Sequence, residues 1–172
     1  MSRVTKHHTL TPLAHGALNR CFGCGLDNLS GLRLRFFSDP DHNIVCHFRL
    51  ARRFAGPPGH SHGGIIATLL DEAMSKANRA RNVLAMTRQM QVEYLRPVPL
   101  AVPLTLTARH VENHGRRHFC EAQIADASGH TLATAKRSSS PSSQTTSHAN
   151  PANSPHNPRL CHRGPRRSLR HR

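Results

Sequence analysis

The sequence predicts an α+β fold in which an antiparallel sheet packs against one long helix. Three observations support this prediction: the order of the elements, the helical spacing of apolar residues after "PGHSHGG", and the turn signals between the later apolar segments. Two strand candidates precede the helix, and a run of strands follows it at close intervals. A single helix in such an order must cover the apolar face of the sheet.

A hairpin is predicted before the helix. Residues 31–39 and 43–50 are rich in apolar residues and flank "PDHN", which is a turn signal. A Gly/Pro loop follows, and residues 63 to about 81 are predicted to be helical. The apolar residues of that segment recur at helical spacing: Ile66, Leu69, Leu70, Ala73 and Ala77.

Further strands are predicted after the helix, at residues 85–95, 101–111, 117–126 and 130–136. The turn-like "ENHG" and "ASG" separate the last three of them. Alternation in the first of these strands places its larger apolar residues on one face: Met86, Met90, Val92 and Tyr94.

One folded domain is predicted, at residues 19–137, between a partly ordered N-terminal segment (1–18) and a disordered tail (138–172). From Ser138 onward the chain has no acidic residue and consists mainly of Ser, Pro, Asn, His and Arg. Such a composition buries too little apolar surface to offset the entropy of ordering. The last strand, which runs straight into "RSSSPSS", is therefore expected to be short.

The chain is strongly basic, with 24 Lys and Arg against 9 Asp and Glu. This charge alone favours polyanionic partners, but the tail has no interleaved aromatic residues, so we expect at most nonspecific binding of nucleic acid there. No signal-peptide h-region and no apolar run of about 18 residues is found. A soluble, cytoplasmic protein without membrane contact is expected, with its cysteines reduced.

Two adjacent acids, Asp71 and Glu72, lie within the predicted helix. Gly64 and Asp71 are two turns apart on one face, separated by about 10 Å along the axis. Glu72 lies about 100° further round, where it forms a favourable i,i+4 pair with Lys76 that we expect to be solvated. Asp71 is therefore placed at the edge of the buried stripe. Partial desolvation there raises a carboxyl pKa and makes the group a better base.

Gly63 and Gly64 begin the same helix. Its first N–H groups are free, the helix dipole is positive there, and residues without Cβ allow a ligand to approach the backbone closely. A carbonyl oxygen that becomes an oxyanion is stabilised at such a point. Helix end and carboxylate together suit attack on an acyl carbon, although an exposed Asp and an ordinary Gly-Gly loop remain the alternative.

Cys21 and Cys24 have the CxxC spacing of half a zinc site. The second half is missing, because the other cysteines (Cys46, Cys120 and Cys161) are scattered. We therefore interpret "CFGCG" as a tight structural turn and expect no metal. His60 and His62 flank Ser61, but no third member of a triad is evident.

Three segments resemble hotdog-fold acyl-CoA thioesterases, in particular the PaaI-like branch that includes phenylacetyl-CoA and 4-hydroxybenzoyl-CoA thioesterases. "HGGIIATLLDEAM" resembles their helix signature, "CFGCGLDNLSGLRLRFF" a segment before the first long strand, and "TRQMQVEYLRPV" the strand after the helix. The resemblance runs from about Asn19 to Lys136. It implies a five- to six-stranded antiparallel sheet wrapped around one central helix, and homodimers or dimers of dimers with sites between subunits.

The resemblance also implies roles for individual residues. Asp71 falls at the catalytic carboxylate, as general base or nucleophile, and Gly63 at the amide that polarises the thioester carbonyl; Gly64 is retained from the face argument. His62 heads the motif. Ser75 and Thr87 match hydroxyls that position substrate or water, and Gly56 stands where some relatives have Asn or Gln. Arg96 belongs to a group of cations suited to the phosphates of coenzyme A.

The sequence thus favours hydrolysis of an acyl-CoA or acyl-carrier thioester to free acid and thiol. No cofactor is expected, since coenzyme A enters as part of the substrate. A hydratase acting on enoyl thioesters is disfavoured because no Asp/His loop-helix motif is present. The alternative from a different class is a catalytically weak acyl-CoA-binding or scaffolding protein with the same fold.

Overall fold

The computed structural model describes residues 9–14 and 19–141 of the 172-residue chain. Within these residues, seven strands form one sheet and a single α-helix, α1 (Gly63–Arg79), packs against it. The strands are β1 (Thr11–Pro12), β2 (Phe37–Ser38), β3 (Ile44–Phe48), β4 (Ala85–Tyr94), β5 (Leu104–His114), β6 (Arg117–Asp126) and β7 (Thr131–Pro141). A 3₁₀ turn at Arg52–Phe54 precedes the helix.

All neighbouring strands are antiparallel, in the order β1-β2-β3-β5-β6-β7-β4. β4 follows the helix in the chain but pairs with β7, so it forms the edge of the described sheet. The predicted α+β class is confirmed. The sheet has seven strands where five to six were predicted, because the two-residue strands β1 and β2 extend it beyond β3. In the described part of the chain, no helix is long and apolar enough to cross a bilayer.

The apolar stripe of α1 holds the helix on the sheet. All five apolar residues predicted from spacing are buried, and they pack with buried residues of β3, β5 and β6 such as Ile44, Leu106 and Ile124. The helix begins at Gly63 as predicted and ends at Arg79, two residues early. Since each buried leucine contributes about 2–5 kcal/mol against truncation to alanine, this stripe fixes which faces of α1 point outward.

The predicted hairpin forms between β2 and β3. Its first strand is only Phe37–Ser38, although Leu34 and Phe36 before it are buried in the core. The Asp39 side chain accepts hydrogen bonds from the backbone N–H groups of Asp41 and Asn43, at 2.9 and 2.8 Å, and this closes the turn. The turn of the hairpin was therefore predicted correctly from its residues, whereas the length of the first strand was not.

The last strand corrects the sequence prediction. β7 has 11 residues and continues through Ser138–Pro141, which pair with β4 instead of starting a tail. Ser139 is fully buried, and its hydroxyl accepts a hydrogen bond from Asn78 Nδ2 at 2.9 Å. The folded part thus reaches at least residue 141. The rest of the predicted tail (142–172) and residues 1–8 and 15–18 lie outside the described residues.

A one-residue bulge in β4 determines which of its side chains face the helix. Thr87 pairs with Ser139 and Gln89 with Ser138, so Arg88 is the extra residue. The bulge reverses the alternation, and Thr87 therefore shares the inner face with its buried partner Ser139. Met86, which alternation placed on one face with Met90 and Val92, is 68% exposed, whereas Met90 and Val92 are half-buried.

Candidate active site around Asp71 and the start of the helix

Asp71 lies on α1 and is held by two residues of the sheet. Its Oδ1 accepts hydrogen bonds from the Thr87 hydroxyl at 2.8 Å and from Nη1 of Arg137 at 3.1 Å. The same Nη1 donates to the backbone carbonyl of Asp71 and to the Thr87 oxygen, both at 3.1 Å. The three side chains thus form a closed network that fixes one carboxylate oxygen.

Arg137 was not predicted as a site residue. It lies on β7, opposite Met90 of β4 and Cys120 of β6, and its side chain is completely buried. Its Nε and Nη2 are buried without a hydrogen-bond partner among the described residues. Burial raises the pKa of the neighbouring Cys120 thiol to about 11, although the Arg137 charge acts in the opposite direction. The sequence signal was alternation: Ala133, Ala135, Arg137 and Ser139 all face inward.

The exposure of the two adjacent acids is opposite to the prediction. The Asp71 side chain is 38% exposed, whereas the Glu72 side chain is only 15% exposed. The predicted pair with Lys76 forms, at 3.0 Å, but it is buried and not solvated. Helical spacing shows which residues would face solvent if the sheet were the only element packed against the helix. The segment around Cys24 covers the face that carries Glu72, and spacing could not reveal that.

Glu72 lies in a polar cluster with two cysteines. Its Oε2 accepts a hydrogen bond from Cys21 Sγ at 3.5 Å, and Lys76 Nζ lies 3.0 Å from Cys24 Sγ. Burial alone would raise the pKa of Glu72, but hydrogen bonding with Cys24 and the charge of Lys76 outweigh burial and lower that pKa. The Lys76 ammonium is therefore held inside this cluster and does not face solvent.

The helix N-terminus separates the roles of the two glycines. His62 is the N-cap, and its Nδ1 accepts the hydrogen bond of the Gly64 N–H at 3.0 Å. For the Gly63 N–H, no acceptor is found among the described residues. The Tyr94 hydroxyl donates to the Gly63 carbonyl oxygen at 3.2 Å, a contact that was not predicted. Gly63 therefore presents the available amide, while His62 caps the helix.

The other predicted site residues lie at various distances from this network. Ser75 is half-buried one turn beyond Asp71 on α1, and Thr87 contacts Asp71 directly. Gly56 keeps the loop close to the helix cap, since a Cβ there would lie 2.8 Å from the His62 Cα. Arg96 is exposed after β4 and donates to the Thr131 carbonyl at 3.5 Å. His60 Nδ1 contacts the Pro58 carbonyl oxygen at 2.9 Å, within its own loop.

A model of the thioesterase superfamily matches residues 58–133, from the loop before α1 into β7. The chain is 32% identical over 103 residues to the acyl-coenzyme A thioesterase THEM4 of Xenopus laevis, covering 58% of this chain and 46% of that relative. A comparable match to the Rattus norvegicus THEM4 protein, at 31% identity, covers 44% of its length. The chain thus spans about half the length of the curated relatives it matches.

Solved structures of thioesterase proteins have a similar fold. A crystal structure of a thioesterase superfamily protein has a TM-score of 0.69 and 30% identity, over 70% of this chain and 60% of its own. The E. coli PaaI protein has a TM-score of 0.59 over 64% of this chain and 80% of its own; at 20% identity this likeness concerns the fold alone. The helix with its glycine-led start, the antiparallel sheet around it and these matches agree: the chain has a hotdog fold and is similar, over residues 58–133, to the thioesterase superfamily.

Proposed function

We propose that the protein hydrolyses an acyl-CoA or acyl-carrier thioester to a free acid and a thiol. The observation that carries this proposal is the Asp71 carboxylate, held by Thr87 and Arg137 and 38% exposed. One oxygen is fixed by hydrogen bonds while the group remains accessible. A carboxylate in this state can act on a substrate without first reorganising.

Two chemical routes use this carboxylate. As a general base, Asp71 takes a proton from water while the water oxygen bonds to the acyl carbon, and the thiolate leaves and is protonated. As a nucleophile, its oxygen bonds to the acyl carbon and expels the thiolate, and water then cleaves the mixed anhydride. In both routes the Gly63 N–H, at the positive end of α1, stabilises the developing oxyanion.

The spacing of these groups supports a site built from two copies of the chain. Gly63 and Asp71 are eight residues apart, so their Cα atoms are separated by about 12 Å along the helix axis. A single acyl carbon must lie within about 3–3.5 Å of its attacking atom, with its oxygen within hydrogen-bond distance of the amide donor. The 12 Å gap is too wide for that. The amide of one copy would act with the carboxylate of another.

The edge of the sheet supports such pairing. β4 carries Thr87 and has one neighbouring strand among the described residues, so the other side of this ten-residue strand offers unpaired backbone groups. Large apolar side chains are exposed on it or beside it: Leu84, Met86, Tyr94 and Leu95. A homodimer through β4, or a dimer of such dimers, would cover these residues and close the site.

Three of the remaining predicted residues would contact the substrate. Thr87 and Ser75 present hydroxyls near Asp71, and Arg96 presents an exposed guanidinium suited to a phosphate of coenzyme A. His62 acts through the helix cap. Gly56 supplies no polar side chain where some relatives have an amide. The Gly63 N–H is therefore left to donate the hydrogen bond to the thioester carbonyl of the substrate. We place the reaction in the cytoplasm.

Thiol release from a panel of acyl-CoA esters tests the proposal directly. Wild-type protein should turn over at least one ester, and Asp71→Asn should lower kcat by about 100-fold or more. Glu93→Gln, which neutralises a carboxylate of β4 and leaves Asp71 on α1 unchanged, is the matched control and should keep its activity. Acyl-CoA binding by calorimetry without any turnover would favour the alternative, a catalytically weak binding or scaffolding protein.

A further inference from the structure

The "CFGCG" turn lies against the helix and brings its two cysteines beside a carboxylate of α1. The Sγ atoms of Cys21 and Cys24 and the carboxylate of Glu72 all lie within 4.8 Å of one another. Cys24 and Glu72 are shielded from solvent, whereas Cys21 is exposed at the rim. Two cysteines alone gave half a metal site. The third group comes from α1, 48 residues further along the chain than Cys24.

The glycines of the turn make this approach possible. A Cβ at Gly23 would lie 2.8 Å from Cγ and 2.9 Å from Oε2 of Glu72. A Cβ at Gly25 would lie 2.5 Å from the Asn19 carbonyl oxygen. The turn itself is closed by the Gly25 N–H, which donates to the Cys21 carbonyl at 2.9 Å. A side chain at position 23 would displace the Glu72 carboxylate from its place beside the cysteines.

We propose that Cys21, Cys24 and Glu72 bind one thiophilic divalent cation, of which Zn²⁺ is the best match. With Zn–S of about 2.3 Å, Zn–O of about 2.0 Å and tetrahedral angles, a bound sulfur and oxygen lie about 3.5 Å apart. Cys21 Sγ and Glu72 Oε2 are separated by 3.5 Å. Among the described residues no fourth His, Cys, Asp or Glu joins the cluster. Water or an external ligand would take the fourth position.

Lys76 acts beside the proposed ligands. Its Nζ lies 3.0 Å from Glu72 Oε1, which leaves Oε2 turned toward Cys21, and 3.0 Å from Cys24 Sγ. Asn19 Nδ2 donates to the same sulfur at 3.1 Å. Two N–H donors on one sulfur are suited to a metal-bound thiolate, whose basicity such contacts tune. The three anionic ligands are balanced by a divalent ion and the Lys76 ammonium.

Binding of an ion would fasten the turn to the helix at the residue next to Asp71. The same cysteines could instead form a disulfide, or the cluster could be held by hydrogen bonds alone. A thiolate-to-cobalt charge-transfer band distinguishes metal binding from both of these alternatives. The metal proposal also stands independently of thioester hydrolysis, because its test measures binding and not turnover.

The test uses the full untagged chain, reduced and freed of metal with a chelator, and titrated with Co²⁺ and Zn²⁺. Because the chain has 15 histidines, metal content alone does not identify the ligands. Thiolate-to-cobalt charge-transfer absorption does. We expect this band to saturate at one Co²⁺ per chain, to be displaced by one Zn²⁺, and the Zn²⁺ complex to have a higher thermal midpoint than the metal-free protein.

The variants assign the ligands. Cys21→Ser and Cys24→Ser should lose at least half of the charge-transfer intensity, and Glu72→Gln should weaken the affinity at least tenfold. Cys120→Ser, which removes a buried thiol of β6 and keeps a donor to Asn78, should bind like wild type. A folded, reduced wild type without the cobalt band overturns the proposal, and so does a band that survives Cys21→Ser and Cys24→Ser unchanged.

Discussion

Nη1 of Arg137 lies 3.1 Å from Oδ1 of Asp71, and the arginine side chain is fully buried while the aspartate is 38% exposed. The pair is therefore asymmetric. If Arg137 is removed, the aspartate can be hydrated through its exposed side. If the charge of Asp71 is removed, the guanidinium remains buried without a counter-charge, and this is the costly half of breaking a buried ion pair.

This asymmetry predicts an unusual order of stabilities. Asp71→Asn should lower the free energy of unfolding by about 3 kcal/mol, since it leaves the buried cation uncompensated. Arg137→Met should cost less, because methionine fills the space and Nε and Nη2 had no partner among the described residues to lose. The double variant should be more stable than Asp71→Asn alone. Urea unfolding of the four proteins measures these values.

Activity gives the second readout for the same residues. Arg137→Met should lower kcat at least tenfold with a small change in KM, because Asp71 keeps its charge but loses its orientation. Arg137→Lys should recover part of the loss, as a shorter cation on the same strand. A double variant less stable than Asp71→Asn would contradict the asymmetry of the ion pair, and full activity of Arg137→Met would contradict the positioning role of Arg137.

Sequence periodicity predicted what depends on neighbours along the chain. The helix, its buried stripe and the two glycines at its start follow from local spacing and composition, and the structure confirms the helix and the stripe. Arg137 was assigned to the last position of the predicted domain and Ser139 to the predicted tail, because the composition from Ser138 onward resembles that of a tail. Pairing with β4 and β6 makes that polar segment an interior strand, and its local signal, the alternation that continues to Arg137 and Ser139, was outweighed by composition.

The misassignment of Glu72 has a similar cause. Spacing on an isolated helix distinguishes faces, but it does not show which face another segment covers. The turn at Cys21 and Cys24 covers Glu72, and the open sheet edge leaves Asp71 partly exposed. The bulge at Arg88, which turns Thr87 toward Asp71, was likewise invisible in the alternation of β4.

Alanine substitution of the two glycines should have opposite effects. At Gly63, a Cβ would lie 3.7 Å from the Tyr94 ring, an ordinary contact, so stability should stay the same or rise slightly. Activity should fall at least tenfold, because the methyl group obstructs approach to the available amide. At Gly64, a Cβ would lie 3.1 Å from His62 Nδ1, so the cap must shift and stability should fall by about 1 kcal/mol.

Thermal unfolding and steady-state kinetics on both variants separate these effects. The assignment of the available amide to Gly63 would be wrong if Gly63→Ala kept wild-type kcat/KM. It would also be wrong if Gly64→Ala lost activity without any loss of stability.

A charge at the exposed edge should break the proposed pairing. Met86 is 68% exposed on β4, and Met86→Glu places a carboxylate where a second copy would pack. We expect a monomer in sedimentation velocity and a loss of turnover, because the Gly63 amide and Asp71 would no longer meet. Leu29→Glu, at an apolar residue 73% exposed outside β4, is the control and should leave assembly and activity unchanged. A fully active Met86→Glu monomer would refute the shared site.

His110 should make stability depend on pH. Burial, the nearby charge of Arg81 and the ring of His118 lower its pKa below 6.5, and His118 Nδ1 lies 3.2 Å from its Nε2. Below about pH 6.5 the unfolded chain therefore takes up this proton before the folded chain does, so folding stability falls as pH decreases toward the lowered value. One proton accounts for at most about 1.4 kcal/mol per pH unit.

Replacing the imidazole should remove that dependence. We expect His110→Gln to lose less stability than wild type between pH 7.5 and pH 5.5 in urea unfolding, while the two proteins differ least in slope above pH 7, where both states are neutral at this site. His47→Gln, at an exposed histidine of β3 whose ring lies 3.2 Å from the Thr105 hydroxyl, controls for the loss of an imidazole elsewhere in the sheet. Parallel curves for wild type and His110→Gln would show that protonation of His110 is not linked to folding.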